Sequence, residues 1–286
     1  MINETNYYAV GNRGLSQSKI KMYEQDPNYM YRACISGELV REDNVNFLLG
    51  REVDGILTEV DKASKTRISS YKDFRTKDAR EERDDYALKG ISVVSKKEYE
   101  KIMAIAIAVQ ETTIWKFIEK NCTFQKILVM AHLVLGKYFD CLYGKPDCFQ
   151  INKDGICDLY DLKTSVTVDK KKFFLKAKEL GYFKQMWMYR KLLKFCYPQI
   201  TGFRYWFVVA EKSEPYRVVL FSISERLVDK CDEEMVELID RISNDNDFKK
   251  ADASFENAIE LCDPFEKFED MVAGGLDNSA EEGDEE

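Results

Sequence analysis

The stretch Cys148-Phe149-Gln150-Ile151-Asn152-Lys153-Asp154-Gly155-Ile156-Cys157-Asp158-Leu159-Tyr160-Asp161-Leu162-Lys163 decides the fold. Two runs rich in β-branched, aromatic and other apolar residues flank Asp154-Gly155, a dipeptide that tolerates the positive φ angles of a tight hairpin turn. The pattern predicts antiparallel strands over residues 148–151 and 156–162. Side chains two apart on a strand share a face, so Asp161 and Lys163 project together, and with them Leu159. Asp158 and Leu162 face the other way. Folding at Asp154 returns Asp147 alongside Asp161, so two carboxylates converge.

Working outward, Gly144-Lys145-Pro146-Asp147 precedes the hairpin and Thr164 and Ser165 follow it. Further strands are predicted over 127–135 and 138–143. A helix pair is expected over 172–180 and 182–195, broken at Gly181. Its second member carries Gln185 and Tyr189, four apart and therefore on one helix face. Strands over 204–210 and 216–223 flank a turn at 211–215, and an amphipathic helix over 232–242 closes the fold. Upstream, Ser16 reads as the cap of a helix that stops at Asp26-Pro27, and an apolar-faced helix is expected over 44–60. Residues 61–90 are dense in charge and read as an irregular excursion or a lid. Ser95-Lys96-Lys97-Glu98 is a capping box that opens a long helix through about residue 120. The fold class is α/β, a central mixed sheet flanked by helices.

The chain has 286 residues, enough for one large domain, and 45% of them are apolar. No apolar run approaches the roughly 20 residues of a membrane-spanning helix, and the N-terminus is polar, so a cytoplasmic location is expected. Eight cysteines lack any C-x-x-C pair and read as buried, reduced thiols rather than a disulfide framework or a zinc site. The net charge of −8 is uneven. Residues 263–286 hold ten acids and one lysine, which leaves the first 262 residues at +1. That division predicts a domain over 1–262 and a disordered acidic tail over 263–286. Residues 163–194 hold ten Lys or Arg against Asp169 and Glu179. Such a stripe is either a solvated face or a grip on a phosphate backbone, through Thr164, Ser165, Lys170, Lys171, Lys172 and Lys184.

Two acids and a nearby lysine are what phosphodiester hydrolysis with a hard divalent cation requires. Asp147 and Asp161 are oxygen ligands suited to Mg2+ or Mn2+, which activates a bound water and neutralises charge growing on phosphorus. Lys163 either orients and helps deprotonate the water or holds a phosphate oxygen. Gln185 is expected to reach the metal shell or the lysine. Tyr189 either braces the substrate or is simply core. His132, the sole histidine, lies in an apolar strand and reads as structural or as a site residue.

These motifs resemble the PD-(D/E)XK nuclease superfamily, and within it the RecB-like and exonuclease VIII (RecE)-like group. Its glycine-x-x-Asp, Asp-x-Lys and Gln-x-x-x-Tyr signatures correspond to Gly144 and Asp147, Asp161 and Lys163, and Gln185 and Tyr189. Leu15-Ser16-Gln17-Ser18 with Asp26-Pro27, and residues 207–212 with Pro215-Tyr216, resemble the same group. In relatives, a histidine four residues after a helical glycine binds metal; here Gly50 is followed by Asp54, also a hard ligand. A further family acid, about twenty residues before the Asp147 counterpart, has Gln125 as its nearest polar match. The cysteine set of the iron–sulfur variants has no counterpart, so no cluster is expected. The resemblance implies a magnesium-dependent exonuclease on linear duplex DNA. Such an enzyme exposes single strands for an annealing partner in phage-type recombination, and relatives often form rings. An endonuclease or flap nuclease of DNA repair, or an impaired DNA-binding module, are the alternatives.

Overall fold

The computed structural model describes residues 2–39, 45–58, 66–89, 91–131, 133 and 135–248. His132 and the acidic stretch 263–286 lie outside them, as does the expected boundary at residue 262. In chain order the elements begin with β1 (Gly14–Leu15), α1 (Gln17–Gln25), α2 (Pro27–Tyr31) and α3 (Val45–Thr58). Then come β2 (Thr66–Ile68), α4 (Lys77–Ala87), β3 (Ser92–Val94), α5 (Lys96–Gln110), α6 (Thr113–Asn121) and β4 (Thr123–Phe124). The central part holds β5 (Leu128–Met130), β6 (Cys141–Gly144), β7 (Cys148–Ile151), β8 (Ile156–Ser165), α7 (Lys170–Glu179) and α8 (Tyr182–Cys196). The last elements are β9 (Gly202–Glu211), β10 (Val218–Ile223), α9 (Glu225–Asp229) and α10 (Asp232–Asn244).

Five strands form a mixed sheet in the order β10-β9-β8-β7-β4. Only β8 and β9 are parallel there, and α7 and α8 supply the crossover that parallel neighbours require. Alternation along β8 and β9 sorts side chains to the two faces. Cys157, Leu159, Phe207 and Val209 pack with α7 and α8, whereas Tyr160, Val208 and Ala210 pack with α3, α5 and α6. Complete burial of each such large apolar side chain contributes about 1.5–3 kcal/mol, so both helical layers are held to the sheet. The predicted mixed sheet with flanking helices is therefore present.

Local expectations differ from the structure in three places. The charged excursion contains a helix, α4, because Thr76 accepts a hydrogen bond from the Ala79 N–H and caps it, and in the chain it lies between the two strands of a small parallel sheet, β2 and β3. The long helix from Ser95 is two helices, since the Thr112 side chain caps a new start at Thr113. The strands expected over 127–135 and 138–143 shrink to β5 and β6 and join β1 in a separate sheet ordered β1-β6-β5. By contrast, the Ser16 cap, the Ser95–Glu98 capping box and the break at Gly181, whose φ is +72°, form as expected.

Candidate active site

The β7–β8 ladder positions the two acids. Cys148 pairs with Tyr160, so one further step brings Asp147 opposite Asp161. The Asp147 Oδ2 atom accepts the Leu162 N–H at 2.7 Å, which locks this carboxylate to the neighbouring strand. Asp161 is fully buried. The Lys163 ammonium forms an ion pair with its Oδ2, while Oδ1 has no hydrogen-bond partner among the described residues. Burial, reinforced by Asp54 and Asp161, holds the Asp147 carboxyl well above the ordinary carboxylate range. Burial pulls the Lys163 ammonium down, but Asp161 and Asp147 outweigh it and the net shift is upward. Lys163 Nζ also lies 4.7 Å from the centre of the Tyr182 ring, a residue no spacing rule singled out.

Asp54 arrives from α3. A Cβ on Gly50, one turn earlier, would stand 3.3 Å from Thr164 Oγ1, so the glycine lets α3 lie close on β8. Gln125 joins the pieces. Its side-chain amide donates to Asp54 Oδ2 at 3.1 Å and its backbone N–H donates to the Asp147 carbonyl at 3.0 Å. Its φ is +47°, a left-handed conformation that a non-glycine residue seldom adopts. The residue matched to a missing acid therefore touches both candidate ligands.

From α8, the Gln185 amide donates to the Tyr189 hydroxyl at 3.0 Å, and that hydroxyl donates to the Lys145 carbonyl at 3.2 Å. Tyr189 is buried, and burial followed by Asp147 pushes its phenol well up. Gly144 makes this contact possible: a Cβ there would meet Leu192 Cδ1 at 2.9 Å and Tyr189 Cε1 at 3.0 Å. Tyr189 is thus part of the core, the second of its two readings, and its hydroxyl holds the loop that carries Asp147.

The remaining candidates divide. Lys170, Lys171 and Lys172 are exposed on the first turn of α7, and Thr164 is half-buried against Gly50. Ser165 is buried, and its hydroxyl accepts the Thr167 N–H. Lys184 pairs with Glu24 and Glu234, each at 2.6 Å, and so braces α8 to α1 and α10. Asp158, on the opposite face from Asp161 as strand parity requires, is held by Arg204 and by Trp206 Nε1 at 2.9 Å.

Residues 16–262 match the model of a family described as a PDDEXK-like domain of unknown function, DUF3799. The chain belongs to the DUF3799 family. This DUF3799 domain is accordingly a member of the PD-(D/E)XK superfamily, in keeping with its mixed sheet flanked by helices. Its fold is similar to that of a Eubacterium rectale protein designated a candidate exonuclease, with a TM-score of 0.58 at 12% identity over 96% of this chain and 99% of that one. A phage-related exonuclease from Haemophilus somnus 129PT scores 0.29 at 14% identity, over 59% and 82% of the two chains. No protein of curated function matches the sequence.

The DUF3799 domain fits the divalent cation that its superfamily implies. A buried, hydrogen-bond-free Asp161 Oδ1 and a carboxyl at Asp147 that resists ionising beside Asp54 and Asp161 together describe an unmet demand for positive charge. Lys163 meets part of it. Among the described residues, no three acidic, thiol or imidazole side chains already stand close enough to hold one ion. No helix among them is long and apolar enough to cross a membrane.

Proposed function

We propose that this DUF3799 domain is a metal-dependent deoxyribonuclease that digests linear duplex DNA from an end. The observation that carries the reading is the placement of Asp147, through its hydrogen bond from the Leu162 N–H, beside the buried Asp161–Lys163 pair at one end of the β7–β8 ladder. Asp147 and Asp161 would hold Mg2+ or Mn2+, with Asp54 as a third oxygen donor. The bound cation supplies an activated water and neutralises charge on the scissile phosphate. Lys163 is poised to hold a phosphate oxygen or to move a proton of the attacking water. Gln125 orients Asp54, and Gln185 acts through Tyr189 to fix the Lys145–Asp147 loop. Thr164 and the exposed Lys170, Lys171 and Lys172 extend from the site as a track for the DNA backbone, with Lys184 and Ser165 supporting it from within.

The exonuclease reading is supported by the motif order and by the designation of the similar Eubacterium rectale protein. Strands exposed in this way would feed an annealing partner in cytoplasmic phage-type recombination or in repair, with a homo-oligomeric ring as the assembly. Comparing linear with covalently closed circular DNA in Mg2+, Mn2+ and EDTA tests the proposal. Loss of linear DNA alone, abolished by EDTA and by Lys163→Met in folded protein, is the expected result. Digestion of circles would instead establish an endonuclease. Binding without cleavage in either metal would instead establish an impaired DNA-binding module.

A further inference from the structure

We propose that Tyr8, flanked by Lys145, is a stacking platform for a nucleobase of the DNA strand entering the site; the inference rests on the nuclease reading above. Tyr7 anchors the segment. Its ring meets Tyr143 edge-on, with centroids 4.9 Å apart, and its carbonyl accepts Asn12 Nδ2 at 2.9 Å and the Tyr143 hydroxyl at 3.2 Å. Tyr143 in turn sits in a small apolar cluster with Ile2 and Cys141. The next ring, Tyr8, lies edge-on to Tyr7 at 4.7 Å yet is 81% exposed. An exposed aromatic ring is unremarkable when it stands alone. This one is held by a packed neighbour beside a carboxylate site.

Lys145 makes the connection to that site. Its ammonium lies 5.6 Å from the Tyr7 ring centre and 5.7 Å from that of Tyr8. Its carbonyl takes the Tyr189 hydroxyl, and it precedes Asp147 by two residues. A single strand is recognised by such a pair without regard to sequence, because every base has a π-face for the ring and every linkage a charge for the ammonium. An apolar protein segment would gain nothing from the cation, whereas a nucleotide uses both groups. Burial, and then Tyr143, pushes the Tyr7 phenol up and Asp147 contributes, in keeping with a position beside the acids.

The test uses the full chain and a single-stranded oligonucleotide with 2-aminopurine at its end, calcium replacing magnesium to hold back cleavage. Tyr8→Ala is expected to weaken binding about fivefold to a hundredfold, the range for loss of one base stack, and to reduce 2-aminopurine quenching. Tyr8→Phe and Tyr8→Trp should stay within about twofold of the parent protein, since they keep the π-face. In magnesium, Tyr8→Ala should raise KM with kcat retained. Lys145→Gln should lower the slope of log affinity against log salt by about one phosphate contact. Equal binding by Tyr8→Ala and the parent, in protein that binds and cleaves DNA, would overturn this inference and leave the nuclease reading standing. Equal weakening by Tyr8→Phe and Tyr8→Ala would assign the effect to the hydroxyl and overturn stacking. A parent protein that neither binds nor cleaves DNA would overturn both.

Discussion

Replacing Lys163 by Met tests whether the acids are held together by this one ammonium. Asp161 has no exposed surface and the Lys163 side chain is 14% exposed, so the pair lies largely outside the screening reach of water. Removing one partner of such a pair costs about 3–5 kcal/mol, because the other charge is left buried and uncompensated. Part of that cost is offset, since Asp147 already resists ionising and the cluster can take up a proton. The lower end, about 3 kcal/mol, is therefore the expected loss in EDTA. For a unit of this size each kcal/mol moves Tm by about 2–4 °C, so the expected drop is about 6–12 °C. Asp161→Asn alone should cost less, because Lys163 keeps Asp147 and the Tyr182 ring as partners. In the double variant the stranded carboxylate is gone, and the two effects should fail to add by about 1–3 kcal/mol. Thermal unfolding followed by circular dichroism in EDTA measures all four proteins. A Tm for Lys163→Met within about 2 °C of the parent, or strict additivity, would refute the charge-balance argument.

Further outcomes follow from other contacts. Gly144→Ala should destabilise the protein by about 1–3 kcal/mol through overpacking against Leu192 and Tyr189, and should slow cleavage by shifting the Lys145–Asp147 loop; unaltered melting would show that the close approach is unimportant. Gln125→Glu sets a carboxylate where an amide now donates to Asp54 at 3.1 Å, so it should lower Tm in EDTA and tighten Mn2+ binding measured by calorimetry. No change in either quantity would separate Gln125 from the site. Burial pushes Cys141 up to about 11 and Cys157, Tyr23 and Tyr205 up to about 12, with Asp140, Asp158 and Asp245 adding to the first three. With folded values above unfolded ones, stability is fully present below pH about 9 and is lost as pH rises through about 12. Urea midpoints should accordingly fall from pH about 8 to pH about 10.5, and a flat profile would contradict these burial effects.

What was legible in the sequence was whatever repeats at short range. Strand parity separated Asp161 from Asp158, and the structure gives each its own company, Lys163 for one and Arg204 for the other. The turn at Asp154-Gly155 set the register that carries Asp147 to Asp161. Helix caps at Ser16 and Ser95 were readable because capping is a contact between residues three apart. The equivalent cap at Thr112 was hidden inside an apolar pattern that continues across it, so one long helix was expected where there are two. Charge density masked α4, whose residues have good helical propensity but little apolar periodicity. Tyr182 under Lys163 and Tyr8 beside Lys145 depend on contacts between distant elements, which no local spacing encodes.

The departures at Asp54 and Gln125 are better understood as one exchange than as two losses. By resemblance, the position of Asp54 is held by a neutral histidine, and a family acid without an obvious match here has Gln125 as its nearest polar counterpart, a pair that would contribute one negative charge to the site. Here the helix supplies the carboxylate and the loop the neutral partner, and the two side chains meet in a hydrogen bond at 3.1 Å. On the proposed nuclease reading, the number of negative charges offered to a cation would thus be the same, with a different element carrying the charge. The Asp147 carboxyl, raised by burial and then by Asp54 and Asp161, is the group on which such a charge balance would act. On that reading, repulsion among the acids would cost stability in the metal-free protein and a bound cation would offset it.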